Sequence, residues 1–286
     1  MSLKYLIIGN GYIGNYLKQS LPNATLIKNK IYSEQMIKDL LLKHYPSHVL
    51  INCAGKTGRP NIDWCEDNRA ETFGANVGLP VMIAEVCQEI KQYWVHIGSG
   101  CIYDGYEKAY HEEDEPNYYG SFYSKTKIWS QDILSDYDEC LVLRIRMPID
   151  EAIQSRSIIN KLVGYAKEGR TILDEPNSMT VLSDLSDTIA FLTEYGETGL
   201  WNVVNGGSIS ASRILDLWKK YVDEELEYVI APTNEVIATM KAGRSNCLLS
   251  GKKLAERGLP LTSIEDRVEQ IIKEYGKLSK QEAVNA

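Results

Sequence analysis

Tyr123 and Lys127 stand four residues apart in Tyr123-Ser124-Lys125-Thr126-Lys127, within a stretch whose pattern predicts a helix near 121–135. Both side chains therefore leave one face of the helix, and Lys125 points away. A phenol beside an ammonium can deliver a proton as hydride reaches a carbonyl carbon, because a neighbouring cation draws a tyrosine toward the working pH range. Ser99, in Gly98-Ser99-Gly100 at the end of a strand reaching Ile97, is placed to give the carbonyl oxygen a second hydrogen bond. Tyr-x-x-x-Lys alone is most often a surface pair. Order along the chain gives it weight here: a glycine loop comes first, then the strand-end serine, then the tyrosine helix.

That glycine loop is Gly9-Asn10-Gly11-Tyr12-Ile13-Gly14, a G-x-G-x-x-G spacing directly after the apolar run Tyr5–Ile8 and directly before the helical pattern Ile13–Leu17. In that context glycines permit the tight turn and let a pyrophosphate approach the helix N-terminus, so the segment is expected to hold a dinucleotide. An NAD-selective site carries an acidic residue at the end of the second strand. Here Thr25-Leu26-Ile27 is followed by Lys28, Asn29 and Lys30, which favours NADPH with Lys28 near the ribose phosphate and leaves NADH possible. Asn52-Cys53-Ala54-Gly55, after the strand beginning at His48, is expected to run along the cofactor through Asn52, Ala54 and Gly55. Tyr123 and Lys127 would meet its nicotinamide end, with Lys127 holding the ribose.

The elements that must position these groups alternate. Strands are expected at Tyr5–Ile8, Thr25–Ile27, His48–Cys53, Tyr93–Ile97 and Cys140–Ile145, with helices over 33–44, about 67–90 and 121–135 between them. Alternation of this kind implies an α/β fold: a doubly wound parallel sheet of Rossmann type, with ligands beyond the carboxyl ends of its strands. After Arg146-Met147-Pro148 the pattern loosens into a smaller α/β substrate-binding lobe. Residues 1–148 are read as the dinucleotide-binding domain, with 181–205 returning to it, and 149–180 with 206–286 as the lobe. The polar tail from Lys280 to Ala286 is expected to fray.

Bulk properties set limits. A chain of 286 residues with 44% hydrophobic content can bury a large core without staples or metals. A net charge of −8 excludes a broad nucleic-acid footprint, so an anionic ligand must be held by local basic residues. Six cysteines without C-x-x-C pairing read as reduced thiols in a cytoplasmic compartment. Met1-Ser2-Leu3-Lys4 runs straight into a strand-like stretch, which argues against a cleaved leader, and no window reaches the roughly 20 apolar residues of a membrane span.

Five segments carry a more specific resemblance: Gly58-Arg59-Pro60-Asn61-Ile62-Asp63-Trp64-Cys65-Glu66, Gly100-Cys101-Ile102-Tyr103, Gly120-Ser121-Phe122-Tyr123-Ser124-Lys125-Thr126-Lys127, Arg144-Ile145-Arg146-Met147-Pro148-Ile149 and Pro176-Asn177-Ser178-Met179-Thr180. Together they resemble the plant-type nucleotide-rhamnose synthase, an epimerase/reductase of the extended short-chain dehydrogenase/reductase class. The resemblance implies conversion of UDP-4-keto-6-deoxy-glucose, or its dTDP counterpart, to the nucleotide-linked L-rhamnose by 3,5-epimerisation and NADPH-dependent 4-keto reduction. It assigns Cys101 and Lys161 as the epimerisation pair, Lys161 through the match of Arg156-Ser157-Ile158-Ile159-Asn160-Lys161. Protons on carbons 3 and 5 are acidified by the ketone at carbon 4, so a thiolate can remove one and an ammonium can return one. For the diphosphate and uracil the candidates are Arg59, Asn61, Arg146, Asn177 and Arg244, the last in a late Arg-Ser-Asn segment like the family's. The glycine loop is one residue shorter than the family's Gly-x-x-Gly-x-x-Gly form. Two rival readings are a reductase that receives a sugar already epimerised and a non-catalytic dinucleotide-binding subunit. The first is opposed by Cys101 with Lys161, the second by the intact Tyr123 and Lys127. A homodimer built on the helices near 67–90 and 121–135 is also expected of this class.

Overall fold

The computed structural model describes residues 3–44, 48–154 and 156–285. Met1 and Ser2, on which the leader argument partly rests, lie outside the described residues. The chain opens with β1 (Lys4–Ile8), α1 (Tyr12–Ser20), β2 (Ala24–Ile27), α2 (Glu34–His44) and β3 (His48–Asn52). A broken helical stretch follows: α3 (Asp63–Asp67), α4 (Arg69–Phe73), a π-helical turn over Gly74–Gly78, and α5 (Leu79–Ile90). Next come β4 (Trp94–Ser99), β5 (Gly105–Tyr110), α6 (Phe122–Leu134), β6 (Cys140–Ile145), α7 (Ile158–Lys167), β7 (Thr171–Ile172) and α8 (Leu182–Glu194). The chain ends with β8 (Gly199–Asn202), α9 (Ala211–Tyr221), β9 (Val229–Ile230), α10 (Thr233–Ala238), β10 (Cys247–Leu249), α11 (Lys252–Glu256) and α12 (Ile264–Asn285).

Six strands form one parallel sheet in the order β2-β1-β3-β4-β6-β8. The apolar runs make this arrangement, because alternate residues of each strand enter opposite cores. Tyr5, Ile7, Val49, Ile51, Val95, Ile97, Leu141 and Leu143 pack on one face with Leu17 of α1 and Leu185, Ile189 and Leu192 of α8. Leu6, Ile8, Leu50, Trp94 and Val142 pack on the other with Ile37 and Leu41 of α2 and Ile83, Ala84 and Cys87 of α5. Strand order reverses on either side of β1, and that reversal opens a crevice at the carboxyl ends of β1 and β3. The fold is the Rossmann-like α/β architecture expected.

A further core joins Ile149, Ile159, Leu162 and Val163 to Ile214, Leu215 and Trp218 of α9 and Ile264, Val268 and Ile271 of α12. Two parallel strand pairs, β5 with β10 and β7 with β9, stand apart from the main sheet.

The structure departs from the sequence expectation in three places. The helix over 67–90 begins earlier and is interrupted, since Gly74 and Gly78 bracket the π-helical turn. Residues 105–110 form a strand beyond those expected, because β10 arrives from far along the chain to pair with them. The tail remains helical through Asn285. Among the described residues, no helix is long and apolar enough to cross a membrane, and all six cysteines are free.

Candidate active site

The glycine loop is shaped by two contacts and one gap. Gly9 has φ +111°, and a Cβ there would lie 2.5 Å from the Ala54 nitrogen. A Cβ on Gly14 would sit 2.0 Å from the Gly9 carbonyl oxygen. Both positions are therefore closed to larger residues by the loop's own backbone and by the neighbouring 52–55 loop. A Cβ on Gly11 would meet nothing within 4 Å. Gly11 is the N-cap of α1 and offers no side-chain cap, so the first N–H groups of the helix face open space where a pyrophosphate fits. Asn10 accepts from the Asn15 amide at 3.0 Å, while Ile13 packs against the core beneath. Burial, then the Asp150 carboxyl, pushes the Tyr12 phenol above its usual range. Lys28 is exposed just beyond β2, as a contact to a ribose phosphate requires.

Beside this loop, the Asn52 carboxamide accepts from the Ala54 N–H at 3.0 Å and meets His96 at 3.2 Å. Asn76, wholly buried in the π-helical turn, accepts from the Lys56 N–H at 2.7 Å and donates to the Lys56 carbonyl and the Thr126 hydroxyl, each at 3.0 Å. One carboxamide thus ties the 52–56 loop to the helix that carries Tyr123. Asn76 was missed by sequence reasoning; its only signal is the glycine pair around it.

α6 starts where the chemistry needs it. Ser121 caps the helix by accepting from the Ser124 N–H at 3.0 Å, and the Phe122 N–H donates to Glu66 at 2.6 Å. Tyr123 therefore falls in the first turn and Lys127 one turn later, and both are buried. The Tyr123 phenol is close enough to Ser99 for the serine hydroxyl to offset part of the effect of its burial. Lys127 Nζ donates to the Ile97 carbonyl at 3.4 Å and lies 3.8 Å from where a Gly55 Cβ would be. Cys101 is partly exposed, and its N–H donates to Ser99 Oγ at 3.1 Å.

Burial dominates the electrostatics. It raises Tyr123 well above the usual phenol range; charge on Cys101 adds to this, while Ser99 and the Arg146 guanidinium oppose it. The lowering expected from Lys127 is not found: Tyr123 is raised, and only Ser99 and Arg146 oppose the rise. Burial brings Lys127 itself down to about 8, with Cys101 opposing. Ser99, Cys101, Tyr123 and Lys127 form one cluster.

Lys161 belongs to a different group of side chains. It lines a cleft of about 460 Å³ with Arg59, Pro60, Asn61, Arg156, Tyr165, Glu168 and Arg170. Four cations against one carboxylate suit a diphosphate. Burial and the neighbouring Arg156 lower Lys161. Arg156 and Arg170 were not singled out in the sequence, where they look like ordinary surface charges.

The remaining expected contacts are engaged with protein. Arg244 pairs with Asp63 at 2.9 Å and bonds the Ala242 carbonyl at 2.6 Å. Asn177 accepts from Arg146 and from the Cys247 N–H, and donates to the Glu175 carbonyl and to Asn246. Arg146 is 1% exposed and faces Gly100, Asn177 and Ser245. Neither Arg146 nor Asn177 is among the residues lining the basic cleft.

Residues 9–277 match the family model described as the RmlD substrate binding domain. The bifunctional dTDP-4-dehydrorhamnose 3,5-epimerase/dTDP-4-dehydrorhamnose reductase of Arabidopsis thaliana is 32% identical over 99% of this chain and 96% of its own length. A trifunctional UDP-glucose 4,6-dehydratase/UDP-4-keto-6-deoxy-D-glucose 3,5-epimerase/UDP-4-keto-L-rhamnose-reductase of the same plant is 34% identical over 96% of this chain, which spans only 43% of that longer protein. Among solved structures, the L780 UDP-rhamnose synthase of Acanthamoeba polyphaga mimivirus superposes with TM-score 0.88 at 28% identity, covering 96% of this chain and 99% of that one. The dTDP-4-dehydrorhamnose reductase of Bacillus anthracis, in complex with NADP, shares the fold with TM-score 0.81 at 19% identity, over 96% and 100% of the two chains. The chain belongs to the RmlD substrate-binding-domain family.

Proposed function

We propose that the chain is an NADPH-dependent reductase of the 4-keto group of a nucleotide-linked 6-deoxy sugar, and that the same pocket epimerises carbons 3 and 5 before reduction. The observation that carries the reductase reading is the buried Tyr123 beside Ser99, with Lys127 one helical turn away, next to the open glycine loop. When bound, NADPH supplies the hydride; the gap over Gly11 and the uncapped start of α1 fit its pyrophosphate. NADP in the bacillary reductase structure supports the same cofactor here. Tyr123 and Ser99 hydrogen-bond the keto oxygen, and Tyr123 gives it a proton as the carbon is reduced. Lys127 orients the ribose.

In the epimerisation, Cys101 removes a proton alpha to the ketone and Lys161 returns one to the opposite face. The enolate oxygen meanwhile rests on Tyr123 and Ser99. Cys101 adjoins Ser99, and Lys161, lowered by burial and Arg156, is a readier proton donor than an ordinary lysine. The diphosphate is assigned to Arg59, Arg156 and Arg170 of the cleft, leaving Lys161 for the sugar ring. Reduction alone is the second reading, favoured because the Ser99–Tyr123–Lys127 set is complete without Lys161, which lies among the cations of the cleft. A homodimer would pack on the exposed Phe73 and Trp129 of α4 and α6, whose rings lie 6.2 Å apart.

The test is turnover of UDP-4-keto-6-deoxy-glucose with NADPH in deuterated water, read by NMR. The bifunctional reading expects deuterium at carbons 3 and 5 of an L-rhamnosyl product, lost in Cys101→Ala while a pre-epimerised sugar is still reduced. NADPH oxidation without ring deuterium leaves the reductase alone.

A further inference from the structure

We propose that Arg146 is the positioning residue of the active-site turn, fixing Ser99-Gly100-Cys101 through the Gly100 carbonyl and not by touching substrate. This rests on the reading of Ser99 and Tyr123 as the carbonyl-binding pair. Arg146 follows β6 directly, and its guanidinium bonds three separate pieces of chain. Nη1 donates to the Gly100 carbonyl at 3.0 Å and to Ser245 Oγ at 2.9 Å. Nη2 donates to Asn177 Oδ1 and to the Ser245 carbonyl at 3.1 Å. Nε is buried without a partner. Every one of these acceptors is neutral, and no carboxylate pairs with Arg146 among the described residues.

A buried guanidinium without a counter-charge is costly, and a purely structural site would be served as well by an apolar side chain. What this one provides is a rigid fork. Its stem lies flat on the turn: a Cβ on Gly100 would be 2.8 Å from Arg146 Cγ and 3.1 Å from Cδ. The preceding peptide is held by the backbone, since the Gly100 N–H donates to the Ile145 carbonyl at 3.0 Å. Ser99 and Cys101 flank the clamped residue, so both the hydroxyl that meets the keto oxygen and the thiol beside it inherit their positions from Arg146. The positive charge adds to this by opposing the burial that raises Tyr123 and Cys247. Ser245 passes the constraint onward, its hydroxyl donating to the Tyr103 carbonyl at 2.5 Å. The turn is thereby joined to the approach to β10.

Arg146→Lys keeps the charge and loses the fork. For reduction of the 4-keto sugar we expect kcat to fall by about 30-fold, with KM and the NADPH Kd within about threefold of wild type. Because Arg146 acts through the turn, Arg146→Lys combined with Ser99→Ala should be no more than about threefold slower than Ser99→Ala alone. Hydrogen–deuterium exchange of the peptide spanning residues 98–103, with NADPH bound, should be faster in Arg146→Lys. A KM that rises as much as kcat falls, effects that multiply in the double variant, or unchanged exchange overturns the proposal. If wild type turns over no keto sugar, the reductase reading fails, and the exchange comparison still decides the role of Arg146. Should Arg146→Lys not fold, Ser245→Ala removes one acceptor and should show the same pattern at about threefold.

Discussion

Lys127 is the side chain on which cofactor binding and the stability of the empty protein pull in opposite directions. Burial lowers it from 10.5 to about 8, so between these values the unfolded chain holds a proton that the native protein has lost. Stability of the cofactor-free protein should therefore rise as pH increases through that window. In Lys127→Met this slope should vanish, and the native state at neutral pH should gain about 1–3 kcal/mol, because a charge no longer has to be buried. NADPH affinity, which uses the charged form, should weaken above about pH 8 in wild type and show no such inflection in Lys127→Met. Thermal unfolding and fluorescence titration across pH check both. The Tyr123 and Lys127 pair was legible in the sequence because a helix converts a spacing of four into a shared face. Asn76 and Arg156 were not, because what they touch lies far off in the chain: Thr126 for Asn76, and Thr57 for Arg156 at 3.0 Å. Arg146 stood out in the sequence, but a sequence does not say whether an arginine fork meets phosphate or the protein's own carbonyls, as this one meets those of Gly100 and Ser245.

At the level of elements, the loop between β1 and α1 separates folding from binding within one motif. Gly14→Ala puts a methyl 2.0 Å from the Gly9 carbonyl oxygen, so it should destabilise the protein by about 1–3 kcal/mol and abolish NADPH binding together. Gly11→Ala meets no protein atom within 4 Å and should leave unfolding nearly unchanged, while NADPH affinity drops about tenfold because the methyl enters the phosphate space. Calorimetry and cofactor titration on the two variants distinguish these outcomes. The central strands β1, β3, β4 and β6 were readable because each carries a largely apolar run buried on both faces. β5 was not: Gly105–Tyr110 is mostly exposed, and it becomes a strand only because Cys247–Leu249 pairs with it. The π-helical turn has the same character, set by the contacts of Asn76 with Lys56 and Thr126 against the weak helix preference of Gly74 and Gly78.

Across the whole molecule, Arg267 of α12 joins the start of α8 to the segment after β6. It bonds Asp184 at 3.1 Å, Glu151 at 3.2 Å and Ser183 at 2.7 Å, and Glu151 in turn accepts from Tyr16 of α1 at 2.9 Å. The last helix is thus tied to the helix that begins at the glycine loop. Arg267→Met should cost about 1–3 kcal/mol by removing the cation that Asp184 and Glu151 share, read as a fall in Tm, with the NADPH Kd moving less than Tm would suggest. The ion-pair network of Arg267 could not be read from the sequence, because its partners Asp184 and Glu151 lie 83 and 116 residues away along the chain. The most direct test of the central claim is transfer from NADPH deuterated at its transferable position to UDP-4-keto-6-deoxy-glucose, in wild type and Tyr123→Phe. We predict deuterium on carbon 4 of the sugar in wild type, and a rate about 100-fold or more lower in Tyr123→Phe with NADPH still bound. Oxidation of NADPH with no deuterium on carbon 4, or full transfer by Tyr123→Phe, would contradict the account.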